Sequence, residues 1–321
     1  MSKNLSDKLL VKVTGMGVDL RKLADKRMLN PILSMLEDLK KELAATLERV
    51  DPTAVVCASA QQARVKALFE QTTETIRTGY KDIAKAHAAD LRTLASAQAG
   101  LIGGTINNLV GVDIMTTTLS GQQLSSIASN VMIKGAPSRE WWSRQAGDLR
   151  ERFQDTIRDG MLRGETLSDL TRRVRGTRES QFSDGVFVPG ALNPDGIIST
   201  ATRNAQALIR TSVQTVANDA RIALYEENQD VCDGIEWHNV LDDRTTPPCE
   251  EYDGKQWSFP DYEPIGHDLA FPGPTLHWGC RCTQIAVLKS FASLMKSGAL
   301  PKTERKNETL ASALDGEGAT E

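Results

Sequence analysis

Apolar residues recur at helical spacing along the first hundred positions of the chain, which predicts helices there. A first run occupies residues 19–50, where Pro31 suits a helix start. A longer run extends from Ser59 to about Ala99. Each stripe covers one face of its helix, so it needs a partner that buries it. We therefore predict a helical hairpin, or part of a helical bundle, over residues 1–110.

Two features inside this helical region resemble functional sites only superficially. Gly103-Gly104 follows the predicted helix end at Gly100, but no Gly-Lys-Ser/Thr sequence comes after it, as a phosphate-binding loop requires. We interpret the glycine pair as a hinge or a helix cap. His87 lies in an Ala-rich helical stretch, and we expect its side chain on the surface.

Two segments further along the chain read as irregular, and a strong helical pattern separates them. Residues 177–200 are rich in Gly, Ser, Pro and Asn, which predicts an exposed loop. Apolar positions at helical spacing then run from Ala201 to Glu227. After Leu300 the chain is polar and contains no aromatic residue, so we predict a flexible tail over 291–321.

Arginine dominates the charged residues between 139 and 178. Ten Arg, no Lys and seven acidic residues give this segment a net charge of +3. Near its end, Gly164 begins a tight turn into a short capped helix. One interpretation is a solvated helix face on which Arg and acidic side chains pair. The other is a local contact of Arg172, Arg173 and Arg175 with DNA or an acidic partner.

Charge, hydropathy and cysteine number exclude several classes of protein. The net charge of −4 and a pI near 5.7 argue against a protein whose whole surface binds nucleic acid. No apolar run approaches the roughly 20 residues of a membrane span, and we expect no signal peptide and no membrane partner. Five cysteines are an odd number, which argues against a fully paired secreted framework and favours a reducing cytosol.

Potential metal ligands concentrate in one short segment. Four of the five cysteines and three of the four histidines lie between Cys232 and Cys282. The alternation around Trp237 predicts a short strand, and Asp253-Gly254 predicts a turn before a second strand at 256–259. Four prolines then exclude regular structure until a last strand that starts at Cys280; they are Pro260, Pro264, Pro272 and Pro274.

The spacing of the cysteines at the end of this segment suggests a zinc site. In a strand, Cys280 and Cys282 face the same side, with Cα atoms about 6.6 Å apart. That separation suits two thiolates that share one zinc ion, and Cys249 and His277 would complete a tetrahedral set of ligands. Two alternatives stay open, namely a packed cluster of thiols and a Cys249–Cys280 disulfide. A catalytic zinc would also need a general base, and no His-Glu-x-x-His helix is present.

The sequence Asp242-Asp243-Arg244-Thr245 follows the Trp237 strand. Paired acidic residues followed by an arginine could form a metal or catalytic site. Such a run is more typical of a turn in which Asp side chains accept bonds from backbone N–H groups and the Arg pairs with a carboxylate. We therefore interpret 242–245 as a turn.

The order of these residues resembles the phage Mu F-like minor head protein family, also called phage head morphogenesis proteins. The resemblance covers roughly residues 120–290. It is carried by Trp237, Asp242-Asp243-Arg244-Thr245, Cys249, Asp253-Gly254 and the closing His277-x-x-Cys280-Arg281-Cys282. Two positions depart from the family pattern. Thr246 stands where a further cysteine is common, and Ser212 stands where a glutamate is common.

The resemblance implies a minor capsid protein with a structural, non-enzymatic role in prohead assembly. Such a protein would reach the virion, in the capsid interior or at the portal vertex, after synthesis in the host cytoplasm. Its partners would be the portal protein, the scaffold or the major capsid protein, and it could contact packaged double-stranded DNA. Two other functions compete. One is a zinc-dependent hydrolase or toxin-like domain delivered with phage DNA, with Asp242 or Asp243 as its base. The other is a DNA-binding module that works through the Arg-rich helix.

Taken together, we predict a mainly α protein with a small α+β module near its C-terminus. The helical hairpin or bundle at 1–110 is followed by a helical head-morphogenesis region at 111–230, which carries the exposed loop 177–200. A Cys/His module with short strands occupies 231–290, and the flexible tail occupies 291–321. Zinc is the cofactor that the module would hold.

Overall fold

The computed structural model describes residues 3–54, 57–176, 196–290 and 293–294. These residues contain eight α-helices and one four-stranded antiparallel sheet. Seven helices precede the first strand and the eighth lies between the first two strands, which confirms the predicted fold class. The helices are α1 (Lys3–Ala24), α2 (Asn30–Val50), α3 (Ala58–Val110), α4 (Gly121–Asn130), α5 (Ser138–Leu162), α6 (Leu167–Arg175), α7 (Ser199–Glu227) and α8 (Pro247–Tyr252). The strands are β1 (Cys232–His238), β2 (Gln256–Ser258), β3 (Glu263–Ile265) and β4 (Thr283–Leu288).

The chain forms two compact units. The sheet unit comprises Met1–Ala24, Ala89–Gly135 and Arg210–Glu321, and the helical unit comprises Asp25–Ala88 and Ala136–Ile209. None of the helices among the described residues is both long and apolar enough to cross a membrane. The predicted tail, apart from Ser293 and Leu294, and residues 177–195 of the predicted loop lie outside the described residues.

In the helical unit, α2 packs against α6, and α6 packs against α5. The apolar stripe of α2 is buried, as its helical spacing predicts, with Leu36, Leu43 and Leu47 fully enclosed. The predicted capped helix is confirmed in α6. The Thr166 hydroxyl accepts a bond from the Asp169 N–H, and the Asp169 carboxylate accepts one from the Thr166 N–H.

Two predictions about the helical unit are wrong. His87 is fully buried, because its ring accepts a hydrogen bond at Nδ1 from the Trp142 indole N–H, 3.0 Å away. The last part of the predicted loop is also ordered and buried. Gly196–Ile198 form a turn of 3₁₀ helix, and α7 begins at Ser199.

In the sheet unit, α3 runs past the predicted end at Gly100 and through Gly103-Gly104 to Val110. The glycine pair is therefore neither a hinge nor a cap. A Cβ atom on Gly103 would lie 2.9 Å from the Thr116 carbonyl oxygen, so this glycine lets the returning chain approach the helix. The Asn107 side chain fixes that return, because its Oδ1 accepts bonds of 3.0 Å from the N–H groups of Ile114 and Met115.

The sheet has the strand order β3-β2-β1-β4, and every neighbouring pair is antiparallel. Ile235 at the centre of β1 faces Trp257 on one side and Ala286 on the other. Pro264 lies within β3, so the prediction that the prolines exclude regular structure is wrong there. An edge strand tolerates proline because it needs hydrogen bonds along one side only. The last strand begins at Thr283, so Cys280 and Cys282 precede it instead of lying within it.

Candidate metal centre

Three cysteines from two separate segments meet inside the sheet unit. Cys249 lies on α8, whose start is fixed by Pro247 and Pro248 in the first turn. Cys280 and Cys282 lie on the segment that leads into β4. Their three Sγ atoms all lie within 4.8 Å of one another, and those of Cys249 and Cys282 are 3.2 Å apart. All five cysteines of the chain are free thiols in the structure, and the three of this sulfur cluster are at most 4 % exposed.

His277 contacts the sulfur cluster through a defined ring nitrogen. Its Nδ1 lies 2.8 Å from the carbonyl oxygen of Trp278, which can only accept, so Nδ1 carries the proton. In the neutral ring, the lone pair therefore lies on Nε2. That atom is 3.0 Å from the Cys249 sulfur and 3.0 Å from the Thr246 hydroxyl. Three of the four predicted metal ligands thus come together, and His277 contacts this group through Cys249.

The surroundings shift the pKa values of the three thiols in different directions. A hydrogen bond from the Cys282 thiol lowers the pKa of Cys280 to about 5, and nearby backbone N–H groups act in the same direction. Burial raises the pKa of Cys249. The hydrogen bond between Cys282 and Cys280, together with burial, raises the pKa of Cys282. One thiolate is therefore stabilised within the sulfur cluster, and the ionisation of all three calls for a cation.

The predicted turn at 242–245 is present and is tied to the cysteine segment. The Asp242 carboxylate accepts a bond of 3.0 Å from the Arg244 N–H, as in an Asx turn. Both terminal nitrogens of Arg281 also bond to this carboxylate, one of them at 2.6 Å. The Arg281 guanidinium holds the pKa of Asp242 well below its usual range. Asp243 is exposed, and the Thr245 hydroxyl donates to the Val240 carbonyl at 2.6 Å.

The other motif residues shape the framework around α8. Trp237 is fully buried, and its indole N–H donates to Asn239 Oδ1 at 3.0 Å. The Asp253 carboxylate accepts a bond of 2.8 Å from the Asn239 N–H, and the Gly254 N–H donates to the Trp237 carbonyl at 2.8 Å. Asp253-Gly254 therefore forms the predicted turn and anchors it to β1.

A polar face of α7, which the sequence reasoning missed, holds the loop that carries His277, Cys280 and Cys282. The Cys282 carbonyl accepts bonds from the side-chain amides of Gln214 at 2.8 Å and Asn218 at 2.9 Å. The Gly279 N–H donates to the Thr211 hydroxyl at 3.0 Å. The signal was visible in the sequence, because the polar positions 211, 214, 215 and 218 follow the i, i+3, i+4, i+7 pattern that places them on one face of a helix.

The same face continues into a buried arginine. Arg221 is fully enclosed and bonds through its guanidinium to Gln98 at 3.0 Å, to Asn218 at 2.9 Å and to the Thr283 hydroxyl at the start of β4. Burial lowers the pKa of this guanidinium. Neutral oxygens therefore accept bonds from both terminal nitrogens of a buried cation, and they link α7 to α3 and β4.

The three arginines predicted to contact nucleic acid lie in the helical unit, and each has a carboxylate partner. Arg172 pairs with Asp169 at 3.3 Å, Arg173 pairs with Asp159 at 2.9 Å and also with Glu165, and Arg175 pairs with Glu48 at 3.1 Å. The Arg–acid pairs of the first interpretation are therefore present, with one along α6 itself and the others joining α6 to α5, to Glu165 and to α2. A contact with DNA stays a prediction.

Comparison with known proteins gives one match. Residues 151–285 match the model of a family described as phage Mu protein F like protein. No curated protein and no solved structure matches the chain. The matched range contains α6, α7, the Asp242 turn and all four candidate ligands. The resemblance carried by the cysteine segment is thereby confirmed, and residues 151–285 are a domain similar to the phage Mu protein F like family.

Proposed function

We propose that the chain is a phage head morphogenesis protein, a minor structural component of the head that acts in prohead assembly. The observation that carries this proposal is the family match over residues 151–285. We further propose that the protein assembles in the host cytoplasm and takes its place in the capsid interior or at the portal vertex. Its partners would then be the portal protein, the scaffold or the major capsid protein.

The side chains of the sheet unit support a structural role over a hydrolytic one. A zinc hydrolase needs a position on the metal that is open to water and a carboxylate that is free to act as a base. The Asp242 carboxylate, the first candidate for that base, is held by two bonds from Arg281. The cysteines are buried, and the polar face of α7 binds backbone groups of the same loop. These contacts fix the position of a loop.

Mass spectrometry of purified particles tests the head assignment. A phage that lacks this gene is complemented with the wild-type chain, and the chain is quantified in proheads and in virions. We expect a fixed, low number of copies per particle, and defective heads without complementation. Absence of the chain from both kinds of particle would refute the proposal.

Two variants in the same complementation assay separate the competing functions. Asp243→Ala changes the exposed acidic residue that the hydrolase hypothesis needs, and we expect normal particle yield from it. Replacement of Arg172, Arg173 and Arg175 by Gln tests the DNA hypothesis. If these residues bind phosphates, the purified wild-type chain binds duplex DNA with an affinity that falls steeply with salt, and the triple variant flattens that slope. We expect little binding, since each arginine already has an acidic partner.

A further inference from the structure

We propose that Cys249, His277, Cys280 and Cys282 hold one zinc ion in a closed, tetrahedral, structural site. This inference does not rest on the role of the chain in the phage head. It rests on the geometry of four side chains, on the tautomer of one of them and on the bonds that hold their loop.

The separations of the ligand atoms fit a tetrahedral zinc ion. Zinc–sulfur bonds of about 2.3 Å at tetrahedral angles place two sulfurs about 3.8 Å apart, and a sulfur and an imidazole nitrogen about 3.6 Å apart. In the structure, Cys249 and Cys282 are 3.2 Å apart, and all three sulfurs lie within 4.8 Å of one another. Cys249 Sγ and His277 Nε2 are 3.0 Å apart. The three sulfurs are therefore already close enough to share one ion, and His277, which touches Cys249, would turn towards the other two sulfurs as the fourth ligand.

The hydrogen bond at the far side of the ring identifies His277 as the fourth ligand. Histidines that bind metal usually donate their second N–H to a carbonyl or carboxylate, which fixes the tautomer and the plane of the ring. His277 meets this requirement, because its Nδ1–H donates to the Trp278 carbonyl and its Nε2 faces the sulfur cluster. The Thr246 hydroxyl also lies 3.0 Å from Nε2.

The donor set selects zinc among the common divalent ions. Thiolates and imidazole are soft or borderline ligands, whereas calcium and magnesium prefer oxygen. With zinc bound, all three cysteines are thiolates and His277 is neutral, so the site has a net charge of −1. With four protein ligands no position is left for water, so the site is of the structural kind.

The site would complete the attachment of the loop at 274–282. On one side, Thr211, Gln214 and Asn218 of α7 already hold the backbone of this loop. On the other side, Cys249 of α8 contacts the sulfur of Cys282 in this loop. Zinc would therefore join α8 to a loop that α7 has placed in position. Binding to the folded chain alone would stabilise the fold by mass action.

Metal analysis of the full-length, reduced chain tests the proposal. We expect one zinc per chain, with release of zinc when a mercurial reagent blocks the thiols. Cys249→Ser, Cys280→Ser and Cys282→Ser should each weaken zinc binding at least roughly tenfold. Cys57→Ser and Cys232→Ser are the matched controls, since one thiol is exposed, the other is buried, and both lie outside the sulfur cluster. Both controls should keep one zinc.

A cobalt titration of the wild-type chain needs no variant and so does not depend on the folding of the mutants. Stoichiometric Co²⁺ should give the visible bands of a tetrahedral site together with thiolate charge-transfer absorption. His277→Ala should weaken metal binding, and Thr246→Cys in that background should restore it, because position 246 is in contact with His277 Nε2. The proposal fails if the reduced wild-type chain takes up neither metal, or if the cysteine variants keep their zinc. Since no phage particle enters these measurements, a failed head assignment would leave their outcome unchanged.

Discussion

His87 and Trp142 make the helical unit sensitive to acid. An indole N–H can only donate, so the 3.0 Å bond from Trp142 requires an unprotonated Nδ1 on His87. The ring is also fully enclosed, and burial lowers the pKa of His87 to about 4. Protonation would bury a charge and turn the acceptor into a second donor. We therefore predict that the helical unit loses stability as this one ring takes up a proton.

The size of the effect follows from the difference between the folded and unfolded states. An unfolded histidine has a pKa of about 6.5, and the folded ring has a pKa of about 4. Because the folded pKa is the lower one, the stabilising contribution is complete above pH 6.5 and is lost as the pH falls through 4. Between pH 7 and pH 5 this single group should lower the free energy of unfolding by about 2 kcal/mol.

Urea unfolding at these two pH values isolates the contribution of His87. The variant His87→Gln keeps an acceptor for Trp142 and does not titrate, so the difference between wild type and variant should change by about 2 kcal/mol from pH 7 to pH 5. Trp142→Phe removes the hydrogen bond but leaves the ring buried, so it should lower stability at both pH values and keep the part of the pH dependence that burial causes. Identical pH dependences for wild type and His87→Gln would refute the reasoning.

Three further predictions follow from contacts in the sheet unit. Gly103→Ala should lower the free energy of unfolding by about 1–3 kcal/mol through its clash with the Thr116 carbonyl, whereas Gly104→Ala, with open space at its Cβ, should raise it by up to about 1 kcal/mol. Asn107→Ala should cost about 2–4 kcal/mol in thermal or urea unfolding, because two buried backbone N–H groups lose their acceptor. Arg281→Gln should raise the pKa of Asp242 towards its ordinary value, which NMR titration of the carboxyl carbon would measure. A Gly103→Ala variant as stable as the wild type, an unaffected Asn107→Ala, or an unshifted pKa of Asp242 in Arg281→Gln would each contradict the corresponding contact.

The helices and the turns near the metal centre could be predicted because their signals are local. In the apolar stripe of α2, each apolar residue follows the last by a few positions, and the capping residues Thr166 and Asp169 are three positions apart. The structure confirms both features. The Asx turn at Asp242 is equally local, since its acceptor and its donor are two residues apart. For such features the sequence separation is short, so composition and spacing decide the structure.

Three of the wrong predictions depend on contacts that the local sequence does not show. His87 looks like a surface residue until Trp142, 55 positions away, supplies its donor. Gly103 reads as a helix breaker, yet the chain at 116–117 returns to the space that its missing side chain leaves. Pro264 reads as a strand breaker, yet it falls on the one edge strand where a missing N–H is tolerated. Tertiary contacts override local propensity at each of these positions.

The polar face of α7 explains why the cysteine segment and the preceding helix belong together. If the segment after residue 230 stood alone, the Cys282 carbonyl would lose the amide donors of Gln214 and Asn218, and the Gly279 N–H would lose the Thr211 hydroxyl. A buried carbonyl such as that of Cys282 costs about 1–3 kcal/mol when it is left unsatisfied, which is a large part of the stability of a small module. The loop could then no longer present His277, Cys280 and Cys282 together to Cys249. The functional unit therefore has to include α7, as the matched range 151–285 does.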